Sequence, residues 1–203
     1  MFRLFRKKHT NNGSEHVPTS KQILHQLYDW ADERDYAAIE EYLTKLDEED
    51  YIPAIMGICF SFLYNVEYEF PYERAQFYLD KIRDTMKNSA SWHYSMAYAL
   101  LYQKKYEEAR LAACKGTLVA PDCAYLWLIY SKALYCLGDK DNAGKVARCP
   151  DGWRGNEELL EWIKFMEQDL PPEGVLDEEL PYAKASNNFT MPDEMRARVS
   201  ESS

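Results

Sequence analysis

The sequence predicts an all-α chain of helix-turn-helix pairs, stacked in series as an α-solenoid and closed by a C-terminal capping helix. Three observations predict it. Apolar residues recur at i, i+3 and i+4 through most of the stretch from residue 19 to residue 169, which is the spacing of amphipathic helices. Alanines recur at Ala75, Ala109 and Ala143, each thirty-four residues after the last, a period of the kind repeat architectures impose. The small residues Gly57, Ala97 and Ser131 sit in matching settings, Met56-Gly57-x-x-Phe60, Met96-Ala97-x-x-Leu100 and Tyr130-Ser131-x-x-Leu134. Composition agrees: 203 residues, 46% apolar, with 8 glycines and 9 prolines scattered, argue against a collagen-like, disordered or β-sandwich chain.

Along the chain, residues 1–18 read as a basic arm and linker. Arg3, Arg6, Lys7 and Lys8 alternate with Phe2, Leu4 and Phe5, without the apolar run and small-residue cleavage site of a secretory signal. Residues 10–17 are polar. Thr19-Ser20-Lys21-Gln22 is a capping box, and Ile23, Leu24, Leu27, Tyr28 and Ala31 follow on one face, so a helix is expected over residues 20–32. Asp35 is placed to cap a second, with Ile39, Tyr42, Leu43 and Leu46 inward. The run Asp47-Glu48-Glu49-Asp50 lacks the glycine turn of a calcium loop. It reads as a solvated turn that caps the next helix.

Three helix pairs then follow in register. Tyr72-Glu73-Arg74-Ala75, Tyr106-Glu107-Glu108-Ala109 and Lys140-Asp141-Asn142-Ala143 each open the second helix of a pair. Ala97 and Ser131 are thirty-four apart and Gly57 and Ala97 forty, a difference absorbed by six extra residues within 65–70. After Pro150, the apolar residues Leu159, Leu160, Trp162, Ile163 and Met166 predict a capping helix over residues 156–168. Pro171-Pro172 ends the pattern, and residues 170–203 read as an extended tail without a packed core. The helical domain thus covers residues 19–169, with about three to four pairs.

With this period and these residue types the chain resembles the tetratricopeptide repeat (TPR) family, whose units pair a helix A carrying a small residue with a helix B carrying an aromatic and an alanine. Pro121 holds the family's closing proline position. The resemblance covers residues 51–149 well and 19–46 weakly; Lys140 replaces the helix B aromatic, and Trp92 and Trp127 are out of phase. The small residues are expected to let helix A approach helix B closely. The resemblance further implies a concave groove lined by helix A residues, which fall here on Tyr94, Ser95, Tyr98 and Tyr102, and on Tyr125, Ile129, Lys132 and Tyr135. Tyrosine suits a protein interface because its ring buries while its hydroxyl stays bonded. The competing reading puts some of these tyrosines in the inter-repeat core. Lys132 is the one cation among the eight, which disfavours a carboxylate clamp and favours a partner with apolar or aromatic side chains, such as an amphipathic helix.

No glycine-rich phosphate loop, G-x-S-x-G elbow or H-E-x-x-H pair occurs. The expectation is a cytoplasmic, non-enzymatic interaction module, an adaptor or scaffold, with no cofactor and no metal. Cys59, Cys114, Cys123, Cys136 and Cys149 are odd in number and lack a C-x-x-C pair, and read as small hydrophobes of a reducing interior. His93 reads as a packed residue. The net charge of −10 argues against duplex nucleic acid as partner and suits a second class of function, a neutraliser of one basic partner such as a toxin immunity protein or secretion chaperone. A third reading confines contact with a membrane surface or RNA to the arm from Met1 to Lys8. The tail motifs Leu180-Pro181-Tyr182 and Phe189-Thr190-Met191-Pro192 are apolar anchors suited to folding back into the groove.

Overall fold

A computed structural model describes residues 18–65, 67–151 and 153–168. The basic arm, the polar linker and the tail from residue 170 lie outside the described residues. Those described are all-helical, with ten α-helices and no strand.

Short polar side chains cap the first three helices. Helix α1 spans Ser20–Asp32, the range the pattern predicts, and its capping box is formed: Thr19 Oγ1 accepts from the Gln22 amide while the Gln22 side chain accepts from the Thr19 amide at 2.8 Å. Asp35 caps α2 (Tyr36–Leu43) by accepting from the Ala38 amide at 3.0 Å. The acidic run begins a helix rather than a metal loop. Asp47 accepts from the amides of Glu49 and Asp50, and α3 runs Glu48–Tyr64 with three carboxylates in its first turn, where the helix dipole favours them.

The long turn after α3 folds back into the core. Tyr68 is buried and donates its hydroxyl to Asp32 at the end of α1. Phe70 follows in the left-handed region, φ 52°, directly before Pro71 opens α4 (Pro71–Lys81). The short α5 (Arg83–Met86) leads to α6 (Ala90–Tyr102), α7 (Tyr106–Val119), α8 (Ala124–Cys136), α9 (Lys140–Val146) and, after one 3-10 turn, α10 (Glu157–Glu167). Asn156 caps α10 through the Leu159 amide at 2.8 Å.

Packing follows chain order. α3 lies on α4, α6 on α7 and α8 on α9, and successive pairs join through α4–α6 and α7–α8; α1, α3, α6, α8 and α10 also touch in succession. Ala75, Ala97, Ala109, Ser131 and Ala143 have no exposed surface. Ser131 Oγ donates to the Ala143 carbonyl at 2.8 Å, so in the last pair the small residue does bring first helix to second.

Gly57 works differently from the expectation. A Cβ there would sit 2.2 Å from Leu24 Cδ2 and 3.4 Å from the Tyr28 hydroxyl, so the close approach is between α3 and the preceding α1, not between the two helices of one pair. A second close approach not anticipated from the sequence is at Gly116, where a Cβ would meet Leu126 Cδ2 at 2.4 Å and His93 Cβ at 2.9 Å, locking α7 against α6 and α8. Pro121 is exposed in the turn before α8, and its carbonyl accepts from Trp127 Nε1 at 2.7 Å.

Candidate functional site

The i, i+4, i+8 tyrosines of α6 form the middle of a continuous aromatic face that draws on four helices. Tyr98 stacks on Tyr102 with centroids 4.8 Å apart, and Tyr102 stacks on Tyr72 of α4 at 5.0 Å. Tyr64 of α3 meets the edge of Tyr98 at 5.5 Å and pairs its hydroxyl with that of Tyr94 at 3.1 Å. Tyr94 continues to Tyr125 of α8 at 6.4 Å. These offset and edge-to-face contacts are the favourable geometries for aromatic rings.

Burial divides the face. Tyr94 and Tyr98 are 3% and 2% exposed, and burial pushes both phenols well above their ordinary pKa. Tyr64, Tyr72, Tyr102 and Tyr125 are half-buried. Tyr125 donates to Glu158 of α10 at 3.2 Å. Burial, reinforced by that carboxylate, pushes the Tyr125 phenol up to about 12. Tyr94, Tyr98 and Tyr125 therefore keep their phenols protonated near neutral pH.

Six of the eight residues expected to line a groove are buried, Tyr94 and Tyr98 among them. Ser95 and Ile129 have no exposed surface, and Ser95 Oγ is buried without a hydrogen-bond partner. Tyr135 is fully buried against α10, 5.4 Å from Trp162 and 6.1 Å from Phe165. Lys132 is 4% exposed, its ammonium 5.3 Å from the centre of the Trp162 ring. The reason is visible in α6, where all twelve residues from Ala90 to Leu101 are buried. A helix apolar around its whole circumference packs on every side, so spacing alone does not single out an open stripe. Tyr102 and Tyr125 keep part of their surface.

Sequence reasoning passed over Tyr64 and Tyr72 as members of this face. For Tyr72 the signal was present, since Tyr72 and Tyr106 open equivalent helices thirty-four residues apart. It also passed over a cleft of about 540 Å³ between α2 and α4, walled by Tyr36, Ala37, Phe70 and Phe77. There Phe70 and Phe77 are 62% and 53% exposed, the Arg74 guanidinium lies 3.2 Å from the centre of the Tyr36 ring, and Lys81 pairs with Glu40 at 2.7 Å.

His93 is buried. Its Nε2 bonds the Lys87 carbonyl at 2.8 Å, its Nδ1 has no partner, and burial lowers its pKa. All five cysteines are free thiols, Cys59 buried and Cys149 exposed. Among the described residues no group of three or more histidines, cysteines or carboxylates is placed to hold a metal ion. No described helix is long and apolar enough to cross a membrane. No protein-family model matches the chain, and no curated protein matches it.

Proposed function

We propose that this chain is a non-enzymatic protein-interaction module, an adaptor or scaffold built as a TPR-like solenoid, that binds a polypeptide along its tyrosine face. The observation carrying the reading is the aromatic row Tyr72, Tyr102, Tyr98, Tyr64, Tyr94 and Tyr125, joined ring to ring across α3, α4, α6 and α8. The repeat supports the architecture. α4, α7 and α9 begin at Pro71, Tyr106 and Lys140, and α6, α8 and α10 at Ala90, Ala124 and Glu157, spacings within a residue or so of the thirty-four-residue period. In such a stack the first helix of every unit lines the concave side. A rigid, already assembled aromatic surface lowers the ordering cost of binding. Its half-buried rings suit an extended or helical peptide with apolar anchors.

The test is affinity capture of the tagged chain from its host at low and high salt, beside a Tyr102→Ala/Tyr125→Ala variant and a Phe77→Ala variant. Salt-resistant partners lost with the tyrosine pair and kept with Phe77→Ala support the reading. Retention of all partners by the tyrosine variant overturns the site. The net charge of −10 favours one other reading, a neutraliser of a single basic protein. That reading predicts one stoichiometric partner that leaves at high salt.

A further inference from the structure

The structure shows where the chain leaves its last described helix. Three contacts, Tyr125 to Glu158, Ser131 to Trp162 and Tyr135 to Phe165, follow the same order along α8 and α10. α10 therefore runs beside α8 in the same direction, as the next member of the row α3, α6, α8, α10. The chain leaves it at Gln168 beside the C-terminal end of α8. One exposed cation stands at that exit, Lys140, 5.2 Å from the centre of the Tyr135 ring, while Lys132 is enclosed over the Trp162 ring. Lysine is enclosed as far as Lys132 is only where π or anionic groups surround it.

The residues that follow complement this exit. Residues 170–182 carry Glu173, Asp177, Glu178 and Glu179, interleaved with Leu170, Val175, Leu176, Leu180 and Tyr182. The acidic residues carry the charge opposite to that of Lys140, and the apolar residues match the rings. Length suffices as well. Crossing from α10 over α8 and α6 to α3 is about 30 Å at the usual helix spacing, which roughly nine extended residues span. Thirty-five residues, numbers 169–203, are available.

We propose that residues 170–182 lie along the tyrosine face of their own chain, entering past Lys140, and that a partner must displace them. The inference rests on the reading of that face as a peptide-binding surface, and names its resident occupant. Tethering makes the occupant effective because a short connection holds it near the face at about millimolar concentration. The cleft at Phe70 and Phe77 lies between α2 and α4, away from the exit, and its cations Arg74 and Lys81 are engaged by the Tyr36 ring and by Glu40.

The test uses the full chain with the photocrosslinker benzoylphenylalanine in place of Leu180. Crosslinks within one chain, to peptides of α6 or α8, are expected, with yield reduced by Lys140→Glu. In parallel, hydroxyl-radical footprinting of a Leu176→Asp/Leu180→Asp variant, which loses two apolar anchors, is expected to raise labelling of the half-buried Tyr102 and Tyr125 by about twofold. Crosslinks to the Phe70/Phe77 cleft, crosslinks only between two chains, no crosslink at all, or unchanged tyrosine labelling would each overturn the proposal. The two readings separate cleanly. Partners lost in Tyr102→Ala/Tyr125→Ala without any tail crosslink remove only this inference. A tail crosslink with every partner retained removes the adaptor role and leaves a face dedicated to its own tail.

Discussion

Trp162 donates its indole N–H to Ser131 Oγ at 2.6 Å, and the same hydroxyl donates onward to the Ala143 carbonyl at 2.8 Å. One small side chain thus ties three helices: α10 through the indole, α8 through its own backbone and α9 through the carbonyl. All three residues are buried, Ser131 and Ala143 completely. Ser131→Ala keeps the close packing and orphans the indole N–H, so it is expected to cost about 1–3 kcal/mol, the penalty for a buried unsatisfied donor. Ser131→Cys, which retains a weak donor and acceptor, should fall between the two. Urea unfolding followed by Trp fluorescence measures both; equal stability for wild type and Ser131→Ala would show that the tie contributes nothing.

Gly57 is predicted to accept a side chain only by displacing Leu24. The Cβ of alanine alone would enter the volume of Leu24 Cδ2 at 2.2 Å, and leucine adds three carbons more. Gly57→Leu should cost about 1–3 kcal/mol or more by overpacking. Shortening the opposing side chain in Gly57→Ala/Leu24→Ala should recover part of the loss seen in Gly57→Ala, a coupling expected only of residues in contact. Thermal melts of the four variants report it, and strict additivity would place the α1–α3 contact elsewhere.

The aromatic face carries stability as well as surface, which governs how its role is probed. Tyr98 is 2% exposed and touches the rings of Tyr64, Tyr72, Tyr94 and Tyr102. Tyr98→Ala is expected to cost about 3–5 kcal/mol, the range for truncating a buried aromatic. Tyr102→Ala and Tyr125→Ala, at half-buried positions, should cost clearly less. Denaturant midpoints decide the order. A mild Tyr98→Ala would mean the ring is not part of the core.

His93 makes stability depend on pH with a definite sign. Burial lowers its pKa in the folded chain below the ordinary 6.5, so the unfolded chain binds the proton more readily. The stabilisation is therefore fully present above about pH 6.5 and is lost as pH falls below it toward the folded value. His93→Gln keeps a donor for the Lys87 carbonyl, bonded now at 2.8 Å, and removes the titration. Unfolding free energies at pH 7.5 and pH 5.5 should differ more for wild type than for His93→Gln; equal differences would exclude His93 as the source.

Much of the helical plan was legible in single residues. Thr19 with Gln22, Asp35, Asp47 and Asn156 each supply an oxygen to free amides at a helix start, and such capping is local chemistry that needs no knowledge of the fold. The thirty-four-residue spacing was equally plain, because buried alanines at 75, 109 and 143 leave their mark wherever one helix lies close against another. The candidate face was legible only in outline. Tyr94, Tyr98 and Tyr102 were identified as neighbours from helical spacing, whereas Tyr64 and Tyr72 join them from α3 and α4 across separations that no local pattern records.

By itself, then, the sequence determined where helices begin, that they come in pairs and which small residues lie inside, because caps, periodicity and side-chain volume act over a few residues. Only the tertiary structure decided which surfaces remain open. It turned Gly57 toward α1, drew Tyr68 back to Asp32, enclosed Tyr94, Ser95, Tyr98, Ile129, Lys132 and Tyr135, and left Phe70 and Phe77 exposed. The physical reason is that exposure belongs to pairs of helices. A residue on an apolar helix such as α6 is buried or open according to what packs against it, and its neighbours arrive from elsewhere in the chain.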